Sequence, residues 1–153
     1  MKANEFKHEL QRRSIVLDAC TRELFRPICQ QTQCTWLETQ VLELLRSDTM
    51  MSVTQLGECL HIAKSNTSAL CKKMEQRKLL VRQRSEDDER IVRVMLSEDG
   101  KRLQKQVDRC FTRQFELLLE QYDERQLVRI MEGMDAMIDL LREMNKTKNG
   151  NDK

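Results

Sequence analysis

Chain breakers are scarce in these 153 residues, with four glycines and a single proline. That scarcity argues for long helices and against a many-stranded sheet. Aromatic residues amount to only 4%. No apolar run approaches the roughly 20 residues that a membrane-spanning helix needs. Met1 to Arg13 is polar and charged, without the apolar centre of a signal peptide, so the expectation is a cytoplasmic protein. The only histidines, His8 and His61, lie far apart, and no Cys-x-x-Cys pair occurs, so no metal-ligand spacing is present. Without an export signal, Cys20, Cys29, Cys34, Cys59, Cys71 and Cys110 read as free thiols rather than a disulfide framework. A Gly-rich phosphate loop, a nucleophile elbow and a His–carboxylate constellation are all missing, so neither an enzyme nor a cofactor is expected. A net charge of +2 does not by itself announce a nucleic-acid partner.

What is present is a chain of one-domain length, 39% hydrophobic and 34% charged. Phe6, Leu10, Leu17, Leu24 and Ile28 recur at spacings of four and seven and predict a first helix from about Asn4 to Gln30. Pro27 is expected to bend or end it. Thr35-x-x-Glu38 and Ser52-x-x-Gln55 have the spacing of capping boxes and start the second and third helices. A turn through His61 and Ile62 leads to a fourth helix over Lys64 to Gln76. Leu79-Leu80-Val81 and Ile91 to Leu96 then read as a two-stranded hairpin around the polar segment 82–90. Ser97 and Asp123 cap two further helices, and the tail from Lys146 is expected to fray. The fold class is mainly α with a small β-hairpin.

Helix, short turn, helix and hairpin in that order make a winged helix-turn-helix. The charge agrees. Between Ser52 and Arg84 stand Lys64, Lys72, Lys73, Arg77, Lys78, Arg82 and Arg84 against only Glu58 and Glu75, so this segment carries +5 and the remainder −3. Lys64, Ser65, Asn66, Thr67 and Ser68 open the second helix of the motif, where hydrogen-bonding side chains meet base edges and free N–H groups meet phosphate. Alone, that stretch reads as a solvated helix start; with a basic hairpin behind it, it reads as a DNA-reading end.

Met74-Glu75, then Leu79-Leu80-Val81-Arg82, then Asp88-Glu89-Arg90, then Leu96-Ser97-Glu98-Asp99-Gly100 follow in a fixed spacing, with Thr35-Trp36-Leu37-Glu38 and Val41-Leu42 upstream. Together they resemble the MarR family of bacterial transcription regulators over roughly Leu10 to Met144. The resemblance implies a single domain with its core at about 10–145, the helix-turn-helix at 52–76 and the wing at 79–96. Segments 4–31 and 97–145 would be dimerisation helices. It further implies a homodimeric repressor on a pseudo-palindromic operator of double-stranded DNA. Arg90 would be the wing arginine that enters the minor groove, held by Asp88; an ordinary hairpin salt bridge is the plainer reading of that pair. The chain departs from the family pattern in carrying Lys78 where a Gly usually precedes the first wing strand, and in its acidic tip Glu86-Asp87-Asp88-Glu89. The tip works against deep insertion and for backbone contacts by Arg82, Arg84 and Arg90. The DNA-binding candidates are thus Lys64, Ser65, Asn66, Thr67, Ser68, Lys72, Lys73, Arg82, Arg84, Asp88 and Arg90.

The resemblance also implies a small phenolic or other anionic effector between the dimer helices and the DNA-binding lobe. Phe25, Arg26 and Trp36 are candidate lining residues, although core packing accounts for the two aromatics. Relatives that sense oxidants use a cysteine near the start of the first helix, with tyrosines around it. Here that place is close to Gln11, and Tyr122 is the only tyrosine. Cys20, Cys29 and Cys34 still cluster near the first two helices as candidate redox residues, with Arg22 or Arg26 able to lower a thiol pKa; inert packing is the alternative. The competing function is a helical protein–protein adaptor that uses the winged scaffold without DNA.

Overall fold

The computed structural model describes residues 2–84 and 91–150, without the side chains of 117 and 147–150. Among the described residues, α1 (Ala3–Thr32), α2 (Trp36–Leu44), β1 (Met51–Ser52), α3 (Val53–Leu60), α4 (Lys64–Gln76), β2 (Leu80–Arg84), β3 (Val92–Leu96), α5 (Glu98–Leu119) and α6 (Glu124–Gly150) follow one another. The chain divides into a first unit ending at Phe111 and a second beginning at Thr112. None of the described helices is long and apolar enough to cross a membrane.

Local chemistry sets most of the boundaries. Thr35 accepts from Glu38 N–H at 3.2 Å while the Glu38 carboxylate takes Thr35 N–H at 2.8 Å, closing the capping box of α2. Ser52 and Gln55 repeat the arrangement for α3, at 3.1 and 2.8 Å. Ser97 Oγ takes Gly100 N–H at 3.0 Å, and Asp123 takes Gln126 N–H at 2.7 Å, at the starts of α5 and α6. α1 continues past Pro27, as a helix expected to reach about Gln30 does, and ends where Gln33 turns left-handed (φ 53°). Two expectations are corrected. The sheet has three strands, because β1 adds to β3 through Met51 opposite Val94, giving the order β1-β3-β2. α6 runs on to Gly150, past the point where the polar tail begins.

The core of the first unit joins the four short elements to both long helices. Val41, Leu42 and Leu45 from α2 and its end, Leu56 from α3, Cys71 and Met74 from α4 and Val94 from β3 are fully buried. Ile28 of α1 and Val107 of α5 complete the cluster, with Leu103, Cys110 and Phe111 packed against it. Two glycines fix how closely elements approach. A Cβ on Gly57 of α3 would stand 2.6 Å from Thr67 Oγ1 of α4, and one on Gly100 would stand 2.0 Å from the Leu79 carbonyl oxygen. The first contact sets the α3–α4 approach; the second seats α5 against the start of the hairpin.

Several apolar side chains face solvent. On α1 these are Ile15 (70% exposed), Val16 and Leu17; on α6 they are Val128, Ile130, Met131, Met134, Ile138, Leu141 and Met144.

Candidate nucleic-acid interface

α3, the turn at His61 to Ala63, and α4 form the helix-turn-helix. The turn depends on His61, left-handed at φ 52°, with Ile62 N–H returning to the Gly57 carbonyl at 3.0 Å. α4 starts at Ala63, which has no side chain able to accept from the first turn. Its leading N–H groups are therefore open to an external acceptor, at the positive end of the helix. Lys64, Ser65 and Asn66 surround that end and are exposed, and Lys72 is exposed two turns on. Ser65, the half-buried Ser68 and Lys72 share one face at spacings of three and four.

Thr67 does not belong to that surface. It is fully buried, its hydroxyl donates to the Ala63 carbonyl at 3.1 Å, and it fills the space above Gly57. Its role is to hold α4 against α3. The polar residue type misled the sequence reading; the signal that could have found it was the small residue at position 57.

The basic residues fall into two groups. Lys73 Nζ lies 3.2 Å from Glu38 Oε1, and Arg77 Nη1 lies 3.0 Å from Glu38 Oε2. Arg82 Nη1 reaches Glu75 at 3.7 Å and is half-buried. Register explains Arg82: it pairs with Val94 and shares the sheet face of Leu80 and Leu96, which are buried in the core. Lys64, Lys72, Lys78 and Arg84 are exposed and make no ion pair with another described residue. Exposed Arg93 stands opposite Gln83 on the outer face of the hairpin; neither it nor Lys78 is among the contact candidates expected from the sequence. Asp88 and Arg90 lie outside the described residues.

Glu38 is the hub behind α4. Its side chain is 1% exposed. Burial pushes its carboxyl up, but the Thr35 N–H, Lys73 and Arg77 outweigh burial and hold it below the usual carboxylate value. Arg77 also donates to the Gln33 carbonyl at 3.0 Å, so one guanidinium ties the end of α4 to the end of α1 and the start of α2. Nothing in the local sequence announces this pairing across 39 positions.

The cysteine candidates separate. Cys20 is exposed, Cys29 half-buried and Cys34 buried. The cations expected to lower a thiol pKa are engaged elsewhere, Arg22 with Asp18 and Arg26 with Glu23. Cys29 is shifted the other way: burial, then Cys34 and Glu38, push its thiol up. Phe25 packs on Trp36 and on Phe111, with ring centroids 3.6 and 4.5 Å apart, as core aromatics do. A separate open groove of about 760 Å³ is lined by Arg77, Arg102, Lys105 and Arg109 together with Asp99 and Asp108.

Residues 35–91 match the MarR family. The organic hydroperoxide resistance transcriptional regulator of Bacillus subtilis (strain 168) is 33% identical over 102 residues, which cover 63% of this chain and 69% of that protein. Among solved structures, a MarR transcriptional regulator from Methanosarcina mazei Go1 is similar with a TM-score of 0.76 and 21% identity, over 90% of this chain and 99% of that one. S. aureus MepR, solved in a complex with DNA, is similar with a TM-score of 0.71 and 18% identity, over 82% of this chain and 96% of that one. These likenesses share the winged-helix fold described above.

Proposed function

The chain belongs to the MarR family of transcriptional regulators, and we propose that it is a sequence-specific repressor that binds duplex DNA as a homodimer. The observation that carries the reading is the front of α4. An uncapped helix start ringed by exposed Lys64, Ser65 and Asn66 is held in place from behind by buried Thr67. In the major groove Asn66 would take an adenine edge and the first-turn N–H groups a phosphate. Lys72, Lys78 and Arg84 would contact flanking phosphates, and Arg90 with Asp88 would work at the wing.

The exposed apolar faces of α1 and α6 support the homodimer, since a second copy would remove them from water. Two recognition helices about one helical turn apart would then read a pseudo-palindrome. Repression would be steric, and a small anionic molecule or an oxidant would relieve it. In the groove Arg102 is paired with Asp99 and Arg77 with Glu38, and Asp108 also lines it, so an anion there would be received by Lys105 and Arg109. The protein would work in the cytoplasm, where its operator is.

The test is binding to the DNA upstream of its own gene, against random duplex, across a salt series. Preference for the upstream DNA, with affinity falling steeply with salt, is expected. Lys64, Lys72, Lys78 and Arg84 on each of two half-sites give a log–log slope of roughly −7 if all eight reach phosphate. Asn66→Ala should relax the preference at one base position, while Arg84→Ala should weaken binding to all sequences alike. Absence of binding at low salt would replace this reading with the protein–protein adaptor.

A further inference from the structure

Cys29 and Cys34 stand on either side of the turn that closes α1. Gln33 between them is left-handed, and Gln33 N–H and Cys34 N–H both return to the Cys29 carbonyl, the second at 3.1 Å. In this type of cap, the residue two past the helix end packs its side chain on the residue three before it. Those two places are Cys34 and Cys29. A disulfide needs Cα atoms about 4.4–6.8 Å apart, and a turn closed by that backbone bond is short enough to meet the requirement. Cys29 is half-exposed and Cys34 lies behind it, buried.

Arg77 touches the same turn. It donates to the Gln33 carbonyl at 3.0 Å and pairs with Glu38 at 3.0 Å. It also closes the C-terminal end of α4. A change at residues 29–34 is therefore passed directly to the helix that carries Lys64, Ser65 and Asn66.

We infer that Cys29 and Cys34 are a reversible dithiol–disulfide site for low-molecular-weight disulfides, and that its closure reshapes the turn whose Gln33 carbonyl Arg77 holds and so loosens α4. The consequence for DNA rests on the function proposed above; the bond itself does not. The Cys29 thiolate attacks one sulfur of R–S–S–R, the reagent's S–S bond breaks, and the first RS⁻ leaves with the proton that Cys29 gave up. The Cys34 thiolate then attacks the Cys29 sulfur of the mixed disulfide. The protein S–S bond forms, and a second RS⁻ leaves with the Cys34 proton. Two protein thiols are oxidised and one small disulfide is reduced to two thiols.

The test equilibrates the full chain in mixtures of oxidised and reduced glutathione, quenches with acid, and reads intact mass, a peptide map and duplex affinity. Wild type should lose two hydrogens within one chain and link the Cys29 and Cys34 peptides. Cys29→Ala and Cys34→Ala should not. Affinity of the bridged form should fall about tenfold and return with reductant. Cys29 and Cys34 remaining as thiols at a poise where exposed Cys59 already carries glutathione would overturn the site. A bridge that leaves affinity unchanged would overturn its link to α4. If the reduced protein binds no duplex at low salt, the DNA reading fails separately, and the bridge stands or falls on the mass alone.

Discussion

Replacing Arg77 by Met tests the Glu38 hub most directly, because Met keeps an apolar stem and removes the charge. Glu38 would be left 1% exposed with the Thr35 N–H and, as its one remaining cation, Lys73, whose own side chain is 59% exposed. A surface ion pair is worth about 0–1 kcal/mol, and stripping a partner from a fully buried pair costs about 3–5 kcal/mol. Here the anion is buried and Arg77 is 32% exposed, so the loss should fall between, at about 2–3 kcal/mol. Losing the bond to the Gln33 carbonyl adds little, since Gln33 is exposed and water replaces it. In a chain of this length that corresponds to a Tm lower by about 4–12 °C. Urea titration at pH 7 and at acid pH checks both size and sign. Glu38 is held below its ordinary value of 4.5, so its contribution is fully present above pH 4.5 and is lost as pH falls through the lower folded value. The gap between wild type and Arg77→Met should therefore be widest at pH 7 and shrink below pH 4.5. Glu38→Gln added to Arg77→Met should recover stability by removing the stranded charge. A loss under about 0.5 kcal/mol, the size of a surface pair, or a double variant no better than Arg77→Met, would refute the reasoning.

Gly100→Ala would place a methyl 2.0 Å from the Leu79 carbonyl oxygen; backbone cannot swing aside as a side chain can, so a loss of about 3 kcal/mol or failure to fold is expected, read by urea titration. Met134→Glu on the exposed apolar face of α6 should shift the protein to monomer in analytical ultracentrifugation while leaving its helical circular dichroism unchanged; an unchanged dimer would place the interface elsewhere.

Legibility in the sequence followed the range of the interactions. The capping boxes at Thr35 and Ser52 and the helix over Lys64 to Gln76 are local, and the structure places them where the spacing predicts. β1 escaped because two residues have no periodicity, and one of them, Ser52, already announces itself as a helix cap. Thr67 was misplaced because helix-start chemistry says polar, whereas the approach of α3 at Gly57 decides that it is buried. The positive charge was legible as a sum but not in its use. Lys73, Arg77 and Arg82 hold Glu38 and Glu75, and register turns Arg82 to the core face of the hairpin. Pairings between α2 and α4 are long-range, and no local pattern encodes them.

Lys78 is where stability and function can be separated by sign. It is left-handed at φ 60°, a place where the family pattern usually has Gly, and it is exposed at the entry to the hairpin. A side chain in that region costs about 1–2 kcal/mol, and Gly gives back about 0.5–1 kcal/mol through the entropy of the unfolded chain. Lys78→Gly should therefore stabilise the protein by up to about 1.5 kcal/mol. If Lys78 meets a phosphate, the same change should weaken duplex binding and flatten the log–log salt slope by about 1 per half-site. A merely structural residue moves stability and affinity in the same direction or leaves affinity alone. A more stable variant with weaker, less salt-sensitive binding would mean that this chain keeps a strained lysine for its charge. Greater stability with unchanged binding would take Lys78 off the DNA surface and leave Lys64, Lys72 and Arg84 to account for the slope.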